Sequence, residues 1–353
     1  MPRKGVVVVP PGTQSRRPTD DAAGTQTIAN RPLISHVLHA LQTAGATELA
    51  IVGAPDDLIQ VARSIEDDGE DASSITYLPH NGRSDLLGVL STAAPFVGED
   101  ACIIHAADGL AAESLAPFAE QLRLESPDLV LLLHRSASKE DRLGPRMRRV
   151  LGISELNGSR KRLCLAGVCL LGRGTLRHTC LTEMEPSKEI DLSGIAERIA
   201  LLGKHMEVGF LRTWRRYAGS PADLLELNRI VLDQQLESAD SFDGHADNQI
   251  EGRVVIHPTA EVTNSVVLGP SIIGPGTRVC NSYIGPYTSI GARAEIEGAE
   301  IERSIIHDGA RIMHVSGRIE GSTVGRGANI FRDFTIPRAL RLHVGEDVEV
   351  ALT

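Results

Sequence analysis

The residues most able to do chemistry stand at the ends of apolar runs. Gly5-Val-Val-Val-Val9 leads straight into Pro10-Pro-Gly-Thr-Gln-Ser-Arg-Arg-Pro18, where Gly12 and the pair Arg16 and Arg17 could meet an anion such as a phosphate. Backbone N–H groups are the usual donors in such a loop; Pro10 and Pro11 supply none and fix φ. The two arginines are then either ligand contacts or a solvated basic pair. A second run, Ala101-Cys-Ile-Ile-His105, ends in Ala106-Ala-Asp-Gly-Leu110. Asp108 there is either a functional carboxylate or a turn residue. Arg83, Arg215 and Arg216 are further cations that could gather around it. His257, His307 and His314 could act as general bases, or stand in the fold as structural residues. The chain contains no G-x-x-x-x-G-K-[ST] phosphate loop, no G-x-S-x-G elbow and no His/Cys group at metal spacing.

The elements that must position these residues fall into two regions of different period. Up to about residue 236, short β-rich runs (Gly5–Val9, Leu49–Val52, Ile75–Tyr77, Ala101–His105, Asp128–Leu133) alternate with helical patterns. Leu33, Ile34, Val37, Leu38 and Leu41 recur at helical spacing, and Gly45 stands where a C-terminal cap belongs. This alternation predicts an α/β domain with a Rossmann-like, doubly wound, mainly parallel sheet over 1–236. Ligands of such sheets bind beyond the carboxyl ends of the strands. Residues 237–252, opening Glu237-Ser-Ala-Asp-Ser-Phe-Asp-Gly-His-Ala-Asp247, are polar and acidic and read as a linker. From 253 to 353 the period changes. Ile256 and Val262, Ile273 and Val279, and Ile284, Ile290 and Ile296 are spaced by six, with glycine after many of the aliphatic residues. That is the mark of a parallel β-helix, whose coils bury their aliphatic corners only by stacking on one another.

Composition limits the partners. The 353 residues carry a net charge of −10, which argues against nucleic acid or an anionic membrane, since both need a basic surface. No stretch approaches the ~20 apolar residues of a membrane span. Cys102, Cys164, Cys169, Cys180 and Cys280 are odd in number, without C-x-x-C spacing, and read as reduced thiols of a cytoplasmic protein.

Several motifs together resemble those of the sugar-phosphate nucleotidyltransferases. Gly5–Pro18 stands where that family carries a glycine-rich L-A-G-G-x-G-T-R loop. Ile28-Ala-Asn-Arg-Pro-Leu33 is similar to its V-A-N-K-P stretch, Leu165-Ala-Gly-Val-Cys-Leu170 to L-V-G-V-Y-L, and Trp214-Arg-Arg-Tyr-Ala-Gly219 to W-x-D-T-G. Asn281-Ser-Tyr-Ile-Gly-Pro-Tyr-Thr-Ser-Ile-Gly291 and Ile336-Pro-Arg-Ala-Leu-Arg-Leu342 resemble the long-form glucose-1-phosphate thymidylyltransferases, whose β-helix is left-handed. The resemblance implies a reaction in which a sugar-1-phosphate attacks a nucleoside triphosphate and releases pyrophosphate, with Mg²⁺ as cofactor. It also implies a homo-oligomer.

Carried over residue by residue, that machinery is depleted. Pro10 and Pro11 replace two loop glycines, Ser15 the loop arginine, and Ala23 a phosphate-neutralising lysine. Glu155 falls on a further lysine position. Asp108 matches one metal-binding aspartate, while the second, counted back from Gly219, falls on Tyr217. His80, in Tyr77-Leu-Pro-His80, replaces a base-contacting glutamine, and Asp85 a glycine of the next loop. Gly12, Gly167 and Glu189 remain as candidate substrate contacts.

Three functions follow. The first is an oligomeric, catalytically impaired relative that binds a nucleotide or nucleotide sugar, or pairs with an active thymidylyltransferase. The second is an active transferase with relocated groups. The third is an acyltransferase working through a β-helix histidine.

Overall fold

The computed structural model describes residues 2–10, 22–69, 71–80, 86–136, 148, 151, 162–181, 192–235 and 247–334. Contacts divide the chain into two units, one made largely of the residues up to Ala218, the other of Thr27–Asn30 with the residues from Gly219 onwards.

In the first unit, β-branched runs with no polar alternation become strands buried on both faces. β1 (Lys4–Val8), β4 (Glu48–Gly53), β6 (Cys102–Ala106) and β8 (Leu129–Ser136) are of this kind; β3 (Arg31–Pro32), β5 (Ile75–Pro79), β7 (Gly109–Ala111), β9 (Arg162–Leu171), β10 (Met206–Phe210) and β11 (Trp214–Arg216) complete the unit's strands, while β2 (Thr27–Ile28) belongs to the second unit. Helices α1 (Leu33–Thr43), α2 (Pro55–Asp67), α3 (Leu86–Val97) and α4 (Ala116–Glu125) alternate with them, followed by α5 (Thr175–Leu181) and α6 (Leu192–Leu201). The α1 pattern buries Leu33, Ile34, Val37, Leu38 and Leu41, and Gly45 follows the helix at φ +102°, a conformation glycine adopts without steric cost.

The main sheet has the order β10-β8-β9-β6-β1-β4-β5. β1 runs parallel to both β4 and β6, and β9 alone is antiparallel to its neighbours β6 and β8. From β1 the chain first builds outwards through β4 and β5, then crosses back to place β6 on the other side. The order therefore reverses at β1, and the crevice at the carboxyl ends of β1 and β6 is the topological switch point. Val6, Val8, Val52, Ile104, Leu131, Cys169 and Ile195 lie in one apolar cluster on a face of this sheet.

His105 of β6 is fully buried. Its Nδ1 lies 2.7 Å from the Ala106 carbonyl, and its ring is tilted against Trp214 with centroids 5.4 Å apart. Burial, only partly offset by the hydrogen bond to Ala106, lowers its pKa to about 4. The imidazole is thus neutral in the fold well below the pH at which an unfolded chain would protonate it.

In the second unit, short strands from β12 (Gln249–Glu251) to β26 (Asn329–Phe331) stack into three five-stranded parallel sheets, the arrangement of a left-handed β-helix. Register shows how the coils close. Gln249 pairs with Val266, Val266 with Tyr283 and Tyr283 with Glu300, a step of 17 residues rather than three sixes. One side of the coil is therefore a residue short, which is why Val262 and Val267 are five apart although both point inward. The shortened corner is turned by Asn264, Asn281, Gly298 and His314, all at φ near +50°. Asparagine and glycine tolerate that left-handed conformation best. The interior is Val262, Val267, Ile273, Val279, Ile284, Ile290, Ile296, Ile301, Ile306 and Ile312.

Helix α7 (Pro221–Gln235) groups with this unit, and β12 begins within 237–252, most of whose residues lie outside those described. Asn228 of α7 is fully buried. Its Oδ1 accepts from the Ala29 amide (2.8 Å) and from the Ser289 hydroxyl (2.9 Å), and its Nδ2 donates to the Tyr287 carbonyl (3.1 Å). Asn30 donates to the Ile290 carbonyl at 2.7 Å. These bonds are why residues 27–30 group with residues far along the chain.

Two outcomes follow. Asn228→Ala strands several buried polar groups, each costing ~1–3 kcal/mol, and should lower the urea unfolding free energy by about 2–4 kcal/mol; a loss below about 0.5 kcal/mol would contradict the network. The depressed His105 pKa contributes stability that is complete above about pH 6.5 and is lost as pH falls toward 4, amounting to about 3 kcal/mol. Urea titrations at pH 7.5 and 4.5 should show that loss in the wild type and a shallower one in His105→Phe.

Candidate functional site

The turn after β6 is tied to the sheet by the Ala107 amide, which donates to the Val8 carbonyl at 2.8 Å. This places Asp108 at the switch point. The chain then enters the antiparallel ribbon of β7 with β11, in which Trp214 faces Ala111, Arg215 faces Leu110 and Arg216 faces Gly109. The Tyr217 amide continues the ladder by donating to the Asp108 carbonyl at 2.7 Å. Asp108 and Tyr217, 109 positions apart in sequence, are thus cross-ribbon partners.

Arg216 Nε donates to Asp108 Oδ2 at 2.8 Å. The carboxylate is 2% exposed and the arginine side chain 40%. Asp108 Oδ1 is buried with no hydrogen-bond partner among the described residues. A buried carboxylate keeps its charge only with close compensation, and here a guanidinium supplies it.

Trp214 fixes the ribbon against the sheet. Its indole lies so close to Gly109 and Gly167 that a Cβ there would stand 2.4 Å and 2.6 Å from Cζ2. Gly167 is therefore required by the packing of Trp214, independently of any substrate contact. Trp214 also covers His105, whose Nε2 is buried and without a hydrogen-bond partner among the described residues. Sequence patterns took His105 for no more than a strand end; its only local signal is a histidine inside an apolar run.

The other sequence candidates are placed as follows. His80 follows β5, two strands from β1; it is 6% exposed and neither ring nitrogen has a partner among the described residues. Ala23 is 1% exposed. Gly12, Ser15, Arg16, Arg17, Arg83, Asp85, Glu155 and Glu189 lie outside the described residues. Of the arginines expected around Asp108, Arg216 binds it and Arg215 sits opposite Leu110. On the β-helix, His257 Nδ1 lies 2.9 Å from the Thr259 hydroxyl, burial lowers the His307 pKa, and His314 is 3.8 Å from Glu297. The five cysteines are free thiols; burial raises Cys102, and carries Cys169 to about 12 and Cys180 to about 11. Those three thiols stay protonated at neutral pH, which removes their nucleophilic form.

The described residues do not fit Mg²⁺. That ion takes hard oxygen ligands at ~2.0–2.1 Å in octahedral geometry. Asp108 offers one carboxylate, already engaged by a guanidinium, and position 217 offers a phenol, ordinarily protonated below a pH of ~10. A divalent ion about 4 Å from the guanidinium would meet repulsion of up to about 8 kcal/mol at an effective dielectric near 20. Among the described residues no group of three or more His, Cys, Asp or Glu could hold a metal. No described helix is long and apolar enough to cross a membrane.

No protein-family profile matches the chain. It is 29% identical over 358 residues to a glucose-1-phosphate thymidylyltransferase of Streptomyces griseus, covering 96% of this chain and 97% of that one. A thymidylyltransferase of the same name from Streptomyces antibioticus is 29% identical over 338 residues, 92% of each chain. The low-salt glycan biosynthesis nucleotidyltransferase Agl11 of Haloferax volcanii is 26% identical over 368 residues, 98% of this chain and 99% of that one. A crystal structure from Bacillus anthracis, assigned as a glucose-1-phosphate thymidylyltransferase and solved with sucrose, shares the fold. Its TM-score is 0.53 at 16% identity, covering 69% of this chain and 99% of the other. With a doubly wound sheet, a β-helix after it and relatives matched almost end to end, the chain is similar along nearly its whole length to the sugar nucleotidyltransferases named glucose-1-phosphate thymidylyltransferase.

Proposed function

We propose that this chain is a nucleotidyltransferase-like protein in which nucleotidyl transfer is impaired. Its fold serves to bind a nucleotide sugar, as an oligomeric regulatory or partner subunit of a cytoplasmic deoxysugar or secondary-metabolite pathway. The observation that carries this reading is the Asp108–Arg216 ion pair beside Tyr217. Among the described residues the switch point holds one carboxylate, Asp108, and Arg216 is paired with it. Phosphoryl-type transfer depends on donors and cations preorganised around the developing charge, and loss of one such element costs ~10²–10³ in rate. Pro10 for a loop glycine, Ala23 for a lysine and Tyr217 for an aspartate are separate losses on the motif correspondence. Even with incomplete additivity they amount to about 6–10 kcal/mol of transition-state stabilisation. Meanwhile the sheet, the ribbon and the β-helix coils keep their packing.

A second reading has one observation in its favour. Arg216 stands at Asp108 as a cation, so a transferase with rearranged groups would have a charge in place to meet a phosphate.

The two readings separate in a panel of nucleoside triphosphates and sugar-1-phosphates with Mg²⁺ or Mn²⁺, followed by pyrophosphate release and by thermal shift. The expected result is turnover more than about 10³-fold below that of an active relative. Nucleotide sugars at a hundredfold excess over Kd should stabilise the chain by about 2.7 kcal/mol, with gel filtration showing an oligomer. Ordinary turnover that vanishes in Asp108→Ala would establish the second reading instead. Absence of a thermal shift with every nucleotide and nucleotide sugar would remove the binding role.

A further inference from the structure

We infer that Arg216 is the resident cation of the switch-point crevice, occupying the charge position of a divalent ion, so that the phosphorylated ligand binds there without metal. This rests on the reading that the crevice takes a nucleotide or nucleotide sugar. The argument begins with backbone geometry. The register of β7 with β11 sets Arg216 opposite Gly109, and the Tyr217 amide bonds to the Asp108 carbonyl at 2.7 Å, so the two charged residues are held by the ladder itself. Trp214, wedged against Gly109 and Gly167, prevents the ribbon from shifting. The pair is therefore preorganised rather than a chance surface contact. Asp108 is 2% exposed, and Arg216 Nε lies 2.8 Å from its Oδ2.

The charge balance then decides the ligand's state. An acidic pair would repel a diphosphate until a divalent ion bridged them. Here the carboxylate and guanidinium sum to zero before any ligand arrives, and the guanidinium, 40% exposed, lies where a phosphate would approach beyond β1 and β6. Asp108 Oδ1, buried and without a partner among the described residues, retains acceptor capacity for a donor of the ligand, such as a sugar hydroxyl.

Two measurements test this. In the first, Mn²⁺ binding is read by electron paramagnetic resonance on the full chain. The wild type and Asp108→Asn should hold Mn²⁺ equally weakly, whereas Arg216→Ser/Tyr217→Asp should gain one site at least about tenfold tighter, lost again when Asp108→Asn is added. A wild-type Mn²⁺ site abolished by Asp108→Asn would overturn the inference, as would a folded double variant that gains none. The comparison of wild type with Asp108→Asn stands even if the double variant does not fold. In the second measurement, dTDP-glucose is titrated in 5 mM MgCl₂ and in EDTA. Affinities should agree within about twofold, and Arg216→Gln should weaken binding about tenfold or more in EDTA. Binding that requires Mg²⁺ overturns the inference. Absence of dTDP-glucose binding under both conditions counts against the binding role instead, and leaves the Mn²⁺ comparison to decide the metal question.

Discussion

A guanidinium 2.8 Å from a carboxylate that is 2% exposed governs what the carboxyl end of the central strand can hold. Such a carboxylate cannot remain ionised in a dry site without a countercharge, and whichever cation supplies it also sets the chemistry nearby. A divalent ion would bridge protein and phosphate oxygens and draw charge from a breaking bond. A guanidinium on the chain itself balances Asp108 and donates hydrogen bonds, without offering open coordination positions. On the functional reading proposed above, this is a change of charge carrier at a conventional ligand position.

The rest of the first unit explains why the pair is held so firmly. β1 lies between β4 and β6, so the chain reverses its winding direction there and leaves a crevice. The turn at Ala107 is bonded to β1, the ribbon of β7 and β11 continues from it, and Trp214 fills the space that two glycines vacate. His105 lies under that indole with its pKa lowered to about 4. Each of these contacts joins residues distant in sequence, and together they give the ion pair one geometry.

The second unit is organised by repetition. Its first coils advance by 17 residues, with one corner shortened and turned by residues in the left-handed conformation, and later coils by 16 or 18. A stack of this kind buries its aliphatic column only when all coils are present, which makes its stability collective. Asn228 adds a directional element: one buried amide gathers the Ala29 amide, the Ser289 hydroxyl and the Tyr287 carbonyl. Residues 27–30 thereby join a unit whose other described members begin nearly two hundred positions later.

Local composition determined a good deal by itself. Runs such as Gly5–Val9 and Ala101–His105 can bury only as strands, and the Leu33–Leu41 spacing closes one apolar face only as a helix. The column of isoleucines and valines from Val262 to Ile296 points to stacked coils. Asp108 at a strand end, with Tyr217 where the resemblance places a second aspartate, was likewise visible as a point of chemical interest. What the chain could not disclose in one dimension was partnership. That Arg216 rather than Arg215 closes on Asp108, that β9 runs antiparallel, that Gly167 serves an indole and that His105 sits dry beneath it all depend on register between segments tens to more than a hundred residues apart. The five-residue steps from Val262 to Val267 and from Val279 to Ile284 depend likewise on left-handed corners at Asn264 and Asn281. Periodicity and propensity act within a few residues, whereas a salt bridge or a buried imidazole is defined by what the folded chain brings opposite it, and only tertiary structure supplies that.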